Sequence, residues 1–310
     1  MQLVTLGGAA LRLTPPGRER LETARQLDVS VTGPEANAAV AAGRLGAAPT
    51  WFSRLATGPL GRRIAAELRA HDVEVVAERA DDRQGVQFFE RGAAPRTDAR
   101  VSDLAGEAVE GLTLANLSTQ PIATADAAYV TATTLQGARS LAESTAGFIQ
   151  TAHENGATTA LGLLETDEWD DVEAARDRLE RVLPAVDVLI ASGAAVEAVF
   201  DRSGEPSQVT HALASEHGLD VVALHRPHDA TAWQDSTVSE LGALDVDAVD
   251  TTGGRDAFAG AFLAGLAEGT AKSALRSALA AQALVQTTAG PLAAFTAEEV
   301  AEVAERVEPT

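Results

Sequence analysis

The 310-residue sequence predicts an α/β fold, a parallel sheet covered by helices on both faces, with a second, smaller sheet beside it. Two observations predict it. Apolar strand-like runs alternate with amphipathic helical runs along most of the chain. Two stretches, 9–32 and 73–101, break that rhythm. They hold short alternating segments, such as Gly85-Val86-Gln87-Phe88-Phe89-Glu90, with little helical period.

The elements follow in order. Met1-Gln2-Leu3-Val4-Thr5-Leu6 lacks a basic region and a cleavage site, so it reads as a first strand (3–6) and not as a signal peptide. Helices are expected at 35–45 and 60–70. The segments 127–132, 158–164, 186–191 and 219–224 read as strands. They are interleaved with helices at 136–154, 171–183 and 206–217. Helices at 256–268, 273–287 and 297–307 close the chain. No Ser- or Pro-rich linker and no internal repeat divides it, so one domain spanning 1–310 is expected, with 9–32 and 73–101 projecting as the small sheet.

Composition excludes several functions. The net charge is −21, which disfavours nucleic acid as a partner because phosphate contacts need clustered Lys and Arg. The basic residues are almost all Arg, with Lys272 the only lysine. An acidic, lysine-poor surface suits concentrated salt, where screening tames self-repulsion. The absence of cysteine removes disulfides and thiolate metal sites, and no long apolar run predicts a membrane span. A cytoplasmic location fits these features. Lys272-Ser273 does not complete a Walker A loop, and no Gly-x-Ser-x-Gly elbow is present. Gly7-Gly8-Ala9-Ala10 does not form a dinucleotide fingerprint. His225 and His228 flank a proline without a carboxylate pair at ligand spacing, so they read as a polar loop. Trp51, Trp169 and Trp233 are too scattered to stack bases.

The chemistry concentrates near the end of the chain. Asp250-Thr251-Thr252-Gly253-Gly254-Arg255-Asp256 runs into the apolar, small-residue helix Ala257-Phe258-Ala259-Gly260-Ala261-Phe262-Leu263. Backbone N–H groups at a helix start lack partners and favour anions. A carboxylate beside them can orient a hydroxyl, a pairing suited to phosphoryl transfer from a nucleotide to an alcohol. Asp256 also suits a helix first turn for the dipole alone.

This stretch resembles the Asp-Thr-x-Gly-Ala-Gly-Asp signature of the ribokinase-like (PfkB) carbohydrate kinases. Gly33-Pro34-Glu35-Ala36-Asn37-Ala38-Ala39 resembles that family's sugar-binding Gly-Gly-x-x-x-Asn-x-Ala segment, and the closest style is that of 2-keto-3-deoxygluconate kinases. The resemblance covers nearly the whole chain. It implies a three-layer α/β/α ribokinase-like fold with a small β-sheet lid over the sugar site. It implies Asp256 as the base, and the N–H groups of Gly253, Gly254 and Arg255 through Asp256 as the anion hole. Asp250 and Thr251 would lie near the nucleotide phosphates and Mg²⁺, with no metal ligated directly by the protein, and Gly33 and Asn37 would touch the substrate. ATP and Mg²⁺ are the implied cofactors, a sugar or sugar acid the implied substrate, and a homodimer through the lid sheets is permitted.

Several positions depart from the pattern. Arg255 stands at the family's second glycine, where a positive φ would strain an L-residue by ~1–2 kcal/mol. It either obstructs the phosphate or lays a guanidinium on it. Ala56-Thr57-Gly58-Pro59 replaces a Gly-Asp-Asp turn, and Ser192-Gly193-Ala194-Ala195 replaces an Asn-x-x-Glu motif. Gln87, Ser102, Leu104 and Glu165 stand where lid tyrosines and carboxylate-binding arginines are expected. Glu165 there would repel an acid. Two readings follow: an active sugar kinase, or a non-catalytic relative that binds nucleotide or sugar phosphate or partners an active paralogue.

Overall fold

The structure is a computed structural model that describes residues 1–166, 169 and 171–310. In chain order the first half holds β1 (Gln2–Leu6), β2 (Ala10–Thr14), β3 (Asp28–Thr32), α1 (Pro34–Arg44), β4 (Ala48–Ala56), α2 (Pro59–Ala70), β5 (Glu74–Ala80), β6 (Val86–Glu90) and β7 (Ala99–Asp103). Then come α3 (Gln120–Ala123), β8 (Ala127–Thr131), α4 (Ala132–Leu135), α5 (Arg139–Glu154), β9 (Thr158–Leu163), α6 (Val172–Val182), β10 (Val188–Ser192), α7 (Gly193–Phe200) and α8 (Pro206–His217). The chain ends with β11 (Val221–His225), β12 (Asp229–Gln234), β13 (Thr237–Gly242), α9 (Gly254–Glu268), α10 (Ala271–Gln286) and α11 (Ala297–Ala304).

Among the described residues, nine strands form one sheet in the order β13-β12-β11-β10-β9-β8-β1-β4-β5. The seven from β11 to β5 run parallel; β12 and β13 add an antiparallel edge that the alternation of strands and helices did not announce. Strand side chains alternate between two helical layers. Val4, Leu6, Val130 and Leu189 pack with residues of α5, α6, α7 and α8. Leu3, Tyr129, Val188 and Ile190 pack with α1, α9 and α10. Burial on both faces explains why these strands read as continuous apolar runs.

The small sheet runs β3-β2-β6-β7. It differs from the expected 73–101 stretch at one point. Glu74–Ala80 pairs in parallel with β4, residue by residue from Thr50↔Glu74 to Ala56↔Ala80, and so belongs to the large sheet. The partner strand β4 buries Trp51 on one face and Phe52 on the other and was not recognised in the sequence, which left 74–80 without a visible neighbour. On the small sheet, Leu11, Val31 and Phe89 are buried, while Val29 and Val101 are exposed.

Candidate active site

The loops at the carboxyl ends of the parallel strands converge on the start of α9, where ligands bind in open α/β sheets. Gly253 takes φ 81° and caps this helix without a side chain. A Cβ on Gly253 would come within 2.2 Å of the Pro291 carbonyl oxygen, so both conformation and packing demand glycine there. The first intrahelical bond runs from Ala257 N to Gly253 O at 2.8 Å. The N–H groups of Gly254, Arg255 and Asp256 precede it, lack a helical acceptor, and form a cradle for an anion.

Asp256 lies in the first turn of α9, partly buried. Its Oδ2 accepts a hydrogen bond from Asn37 Nδ2 at 2.8 Å. Asn37, in α1, is buried and reaches Asp256 because α1 and α9 cross at close range. A Cβ on Gly260 would sit 2.2 Å from the Ala38 carbonyl oxygen. The small residues of both helices therefore set the distance at which Asn37 and Asp256 meet. Gly33, just before α1, is extended at φ 167°, a conformation open to any residue. Space is what requires glycine, since its Cβ would lie 2.3 Å from the Gly8 carbonyl oxygen.

Burial pushes the Asp256 carboxyl up to about 7; Asn37's hydrogen bond opposes the shift, as does Arg255, while Glu165 and Glu35 add to it. Glu35 is fully buried, and burial raises its pKa despite hydrogen bonds from Thr131 and Thr134. Its Oε1 accepts from Thr131 N (2.9 Å), Thr131 Oγ1 (2.7 Å) and Thr134 Oγ1 (2.6 Å). The arrangement combines an anion cradle with a carboxylate whose proton affinity lies near neutrality, which is what accepting a hydroxyl proton beside a phosphate requires.

The family model "pfkB family carbohydrate kinase" matches residues 2–296. The chain belongs to the pfkB carbohydrate kinases. It is 39% identical over 305 residues to a 2-dehydro-3-deoxygalactonokinase of Haloferax volcanii, covering 97% of this chain and 96% of that protein. In fold it matches a 2-dehydro-3-deoxygluconokinase of Thermotoga maritima with TM-score 0.93, 24% identity and 98% of each chain covered. An Escherichia coli structure described as a ribokinase II in complex with ATP and Mg²⁺ matches with TM-score 0.88, 19% identity and coverage of 98% and 99%.

Within this pfkB kinase, three departures from the family pattern become local solutions. Arg255 is the second residue of α9 and has no positive φ, so the expected backbone strain does not arise. Its guanidinium is held by the segment after β9: NH1 donates to the Leu164 carbonyl at 3.2 Å and to Glu165 Oε1 at 3.4 Å. Glu165 in turn meets Arg100 of β7 at 3.4 Å. The repulsion expected from Glu165 is therefore offset by two arginines. Ser192 starts α7 as its N-cap, accepting from Ala195 N at 3.2 Å. His225 is not a polar-loop residue; it is buried edge-on to Phe258, and burial, aided by Arg255, pushes it down to about 4.

Asp250 has a role that the motif did not show. Its buried carboxylate takes both arms of Arg12 (2.9 and 3.0 Å) and also Arg91, and accepts N–H bonds from Thr252 and Gly290. Thr251 Oγ1 donates to Asp98 at 2.9 Å. Sequence reading missed Arg12, Arg91, Asp98 and Arg100, all of which come from the small sheet and its connections. One signal was available: Arg12 interrupts an apolar run, Ala10-Leu11-Arg12-Leu13.

Among the described residues, no group of three or more His, Asp or Glu stands where it could hold a metal ion. Asp250 is committed to Arg12 and Arg91. Among the described residues no helix is long and apolar enough to cross a membrane.

Proposed function

We propose that this pfkB kinase phosphorylates a hydroxyl of a 2-dehydro-3-deoxy sugar acid with ATP, Asp256 acting as base. The observation that carries the reading is the placement of Asp256, held by Asn37, inside the first turn that forms the anion cradle. The acceptor hydroxyl gives its proton to Asp256, its oxygen bonds to the γ-phosphorus, and the bond to the β-phosphate oxygen breaks, releasing ADP. The N–H groups of Gly253 through Asp256 hold the charge on the transferring phosphoryl group. The charge of the nucleotide phosphates would be neutralised by Mg²⁺ bound with the nucleotide. Gly33, packed against Gly8 at the start of α1, borders the sugar, and Asp250 and Thr251 border the phosphates. The acid character of the substrate is supported by the Haloferax volcanii relative and by Arg100 and Arg255, which here share Glu165. The net charge of −21 supports work in concentrated salt in the cell interior.

The test is ADP release in molar KCl across sugar acids and neutral sugars, with Asp256→Asn as control. Turnover selective for a 2-dehydro-3-deoxy acid, lost in the variant, is expected. Equal rates for the two proteins would remove Asp256 from the chemistry, and preference for neutral sugars would remove the substrate class.

A further inference from the structure

We propose that Arg12 is the positioning residue that ties closure of the small sheet to assembly of the anion cradle. Arg12 lies in β2, an inner strand of the small sheet, and is fully buried. Its guanidinium lies over the ring of Phe89 in β6, 3.9 Å from the centroid. From there it leaves the sheet and grips the loop before α9. NH1 donates to Asp250 Oδ2 at 2.9 Å, while NH2 donates to Asp250 Oδ1 at 3.0 Å and to Thr252 Oγ1 at 3.1 Å. A planar fork matches this arrangement and a lysine ammonium does not.

Asp250 gathers the other segments around the cradle. Gly290 N donates to its Oδ2 at 3.1 Å, holding the chain that presents the Pro291 carbonyl against Gly253. Thr252 N donates to Oδ1 at 3.1 Å, fixing the residue before the cradle. Arg91, at the end of β6, reaches Oδ2 at 3.2 Å. A second tether runs in parallel: Asp98, before β7, accepts from Thr251 Oγ1 at 2.9 Å and from Gly92 N at 2.7 Å. The 249–253 segment belongs to no strand or helix, so side-chain bonds to Asp250, together with two backbone bonds to Gln286 O, set its place. The sheet that covers the acceptor and the loop that holds the phosphate are thus joined through one buried ion pair. Without Arg12, the buried carboxylate loses its main partner and the cradle loses its reference to the sheet.

The kinetic arm of the test rests on the kinase reading above; the exchange arm does not. Hydrogen exchange is measured in molar KCl on wild type, Arg12→Lys and Arg12→Met, following the amides of Asp250, Thr252, Gly290 and Ala257. Expected is exchange at least tenfold faster at all four in both variants, with the core strands β8 and β10 unchanged. Loosening confined to the small sheet, with the four loop amides as slow as wild type, overturns the proposal. Should both variants fail to fold, Thr252→Val removes one bond of the grip without stranding a charge, and the same four amides are read, with the same pattern expected. In the kinetic arm, kcat per folded molecule falls about a hundredfold in Arg12→Met and is not restored in Arg12→Lys, while KM for ATP moves less than threefold. Wild-type kcat in a folded Arg12→Met protein also overturns it. Absence of turnover in the wild type would instead count against the kinase reading and leave the exchange result to decide.

Discussion

Asn37 Nδ2 stands 2.8 Å from Asp256 Oδ2, a contact between the first turns of two helices that lie 219 residues apart in sequence. The amide both aims the carboxylate and lowers its proton affinity. Asn37→Ala is expected to move the acid limb of the kcat/KM profile upward from about pH 7 by roughly one unit and to lower kcat about tenfold. A profile that stays in place would show that Asp256 is oriented by something else.

In the proposed reaction the titration of Asp256 sets the pH dependence of activity. Its carboxyl is held up to about 7, so the base-competent ionised form accumulates only as pH rises through that value. Turnover should climb tenfold per pH unit below about 6 and level off above about 8. Asp256→Asn should lower kcat by about 10²–10⁴-fold across the range.

The same shift makes an opposite prediction for stability. Asp256 and Glu107 both have folded-state values of about 7, each raised first by burial. A raised carboxyl contributes its stability below the unfolded value near 4 and loses it as pH climbs through the folded value. Asp256→Asn and Glu107→Gln should therefore each stabilise the fold at pH 8, by on the order of 2 kcal/mol, and have little effect at pH 3.5. Denaturant unfolding at the two pH values reads this directly.

Glu165 sits between Arg100 and Arg255 at 3.4 Å from each. In Glu165→Gln the arginines keep their charge and lose this carboxylate. KM for a sugar acid should fall about fivefold while KM for a neutral sugar stays level, and Asp256 should titrate lower because Glu165 raises it. The measurement is paired kinetics on an acid and the corresponding alcohol; equal changes in both would show that the arginines do not read the carboxylate.

Gly33 tolerates no Cβ, which would lie 2.3 Å from the Gly8 carbonyl oxygen. Gly33→Ala should destabilise the protein by roughly 1–3 kcal/mol, because two backbone segments would have to separate. It should also raise KM for the acceptor, measured at a KCl concentration where the variant remains folded.

Several features of this protein were legible in the residues themselves. The alternation of apolar runs with helical periods set the layered α/β class, because strands buried on both faces and helices buried on one leave different periodicities. Gly253 through Asp256 marked the start of α9 because a helix start is a local feature. What the chain could not show was pairing across distance. Arg255 looked like an obstruction until the helix placed it at a position of ordinary φ and turned its guanidinium to Leu164 and Glu165. Glu165 looked repulsive until Arg100 came to it from β7. The strand 74–80 looked like part of the small sheet until β4 paired with it. Arg12 and Asp250 lie 238 residues apart and become an ion pair only when the small sheet folds over the helix start. Periodicity and turn chemistry are written along the chain; which charges neutralise one another depends on which surfaces meet, and that the tertiary structure alone decided.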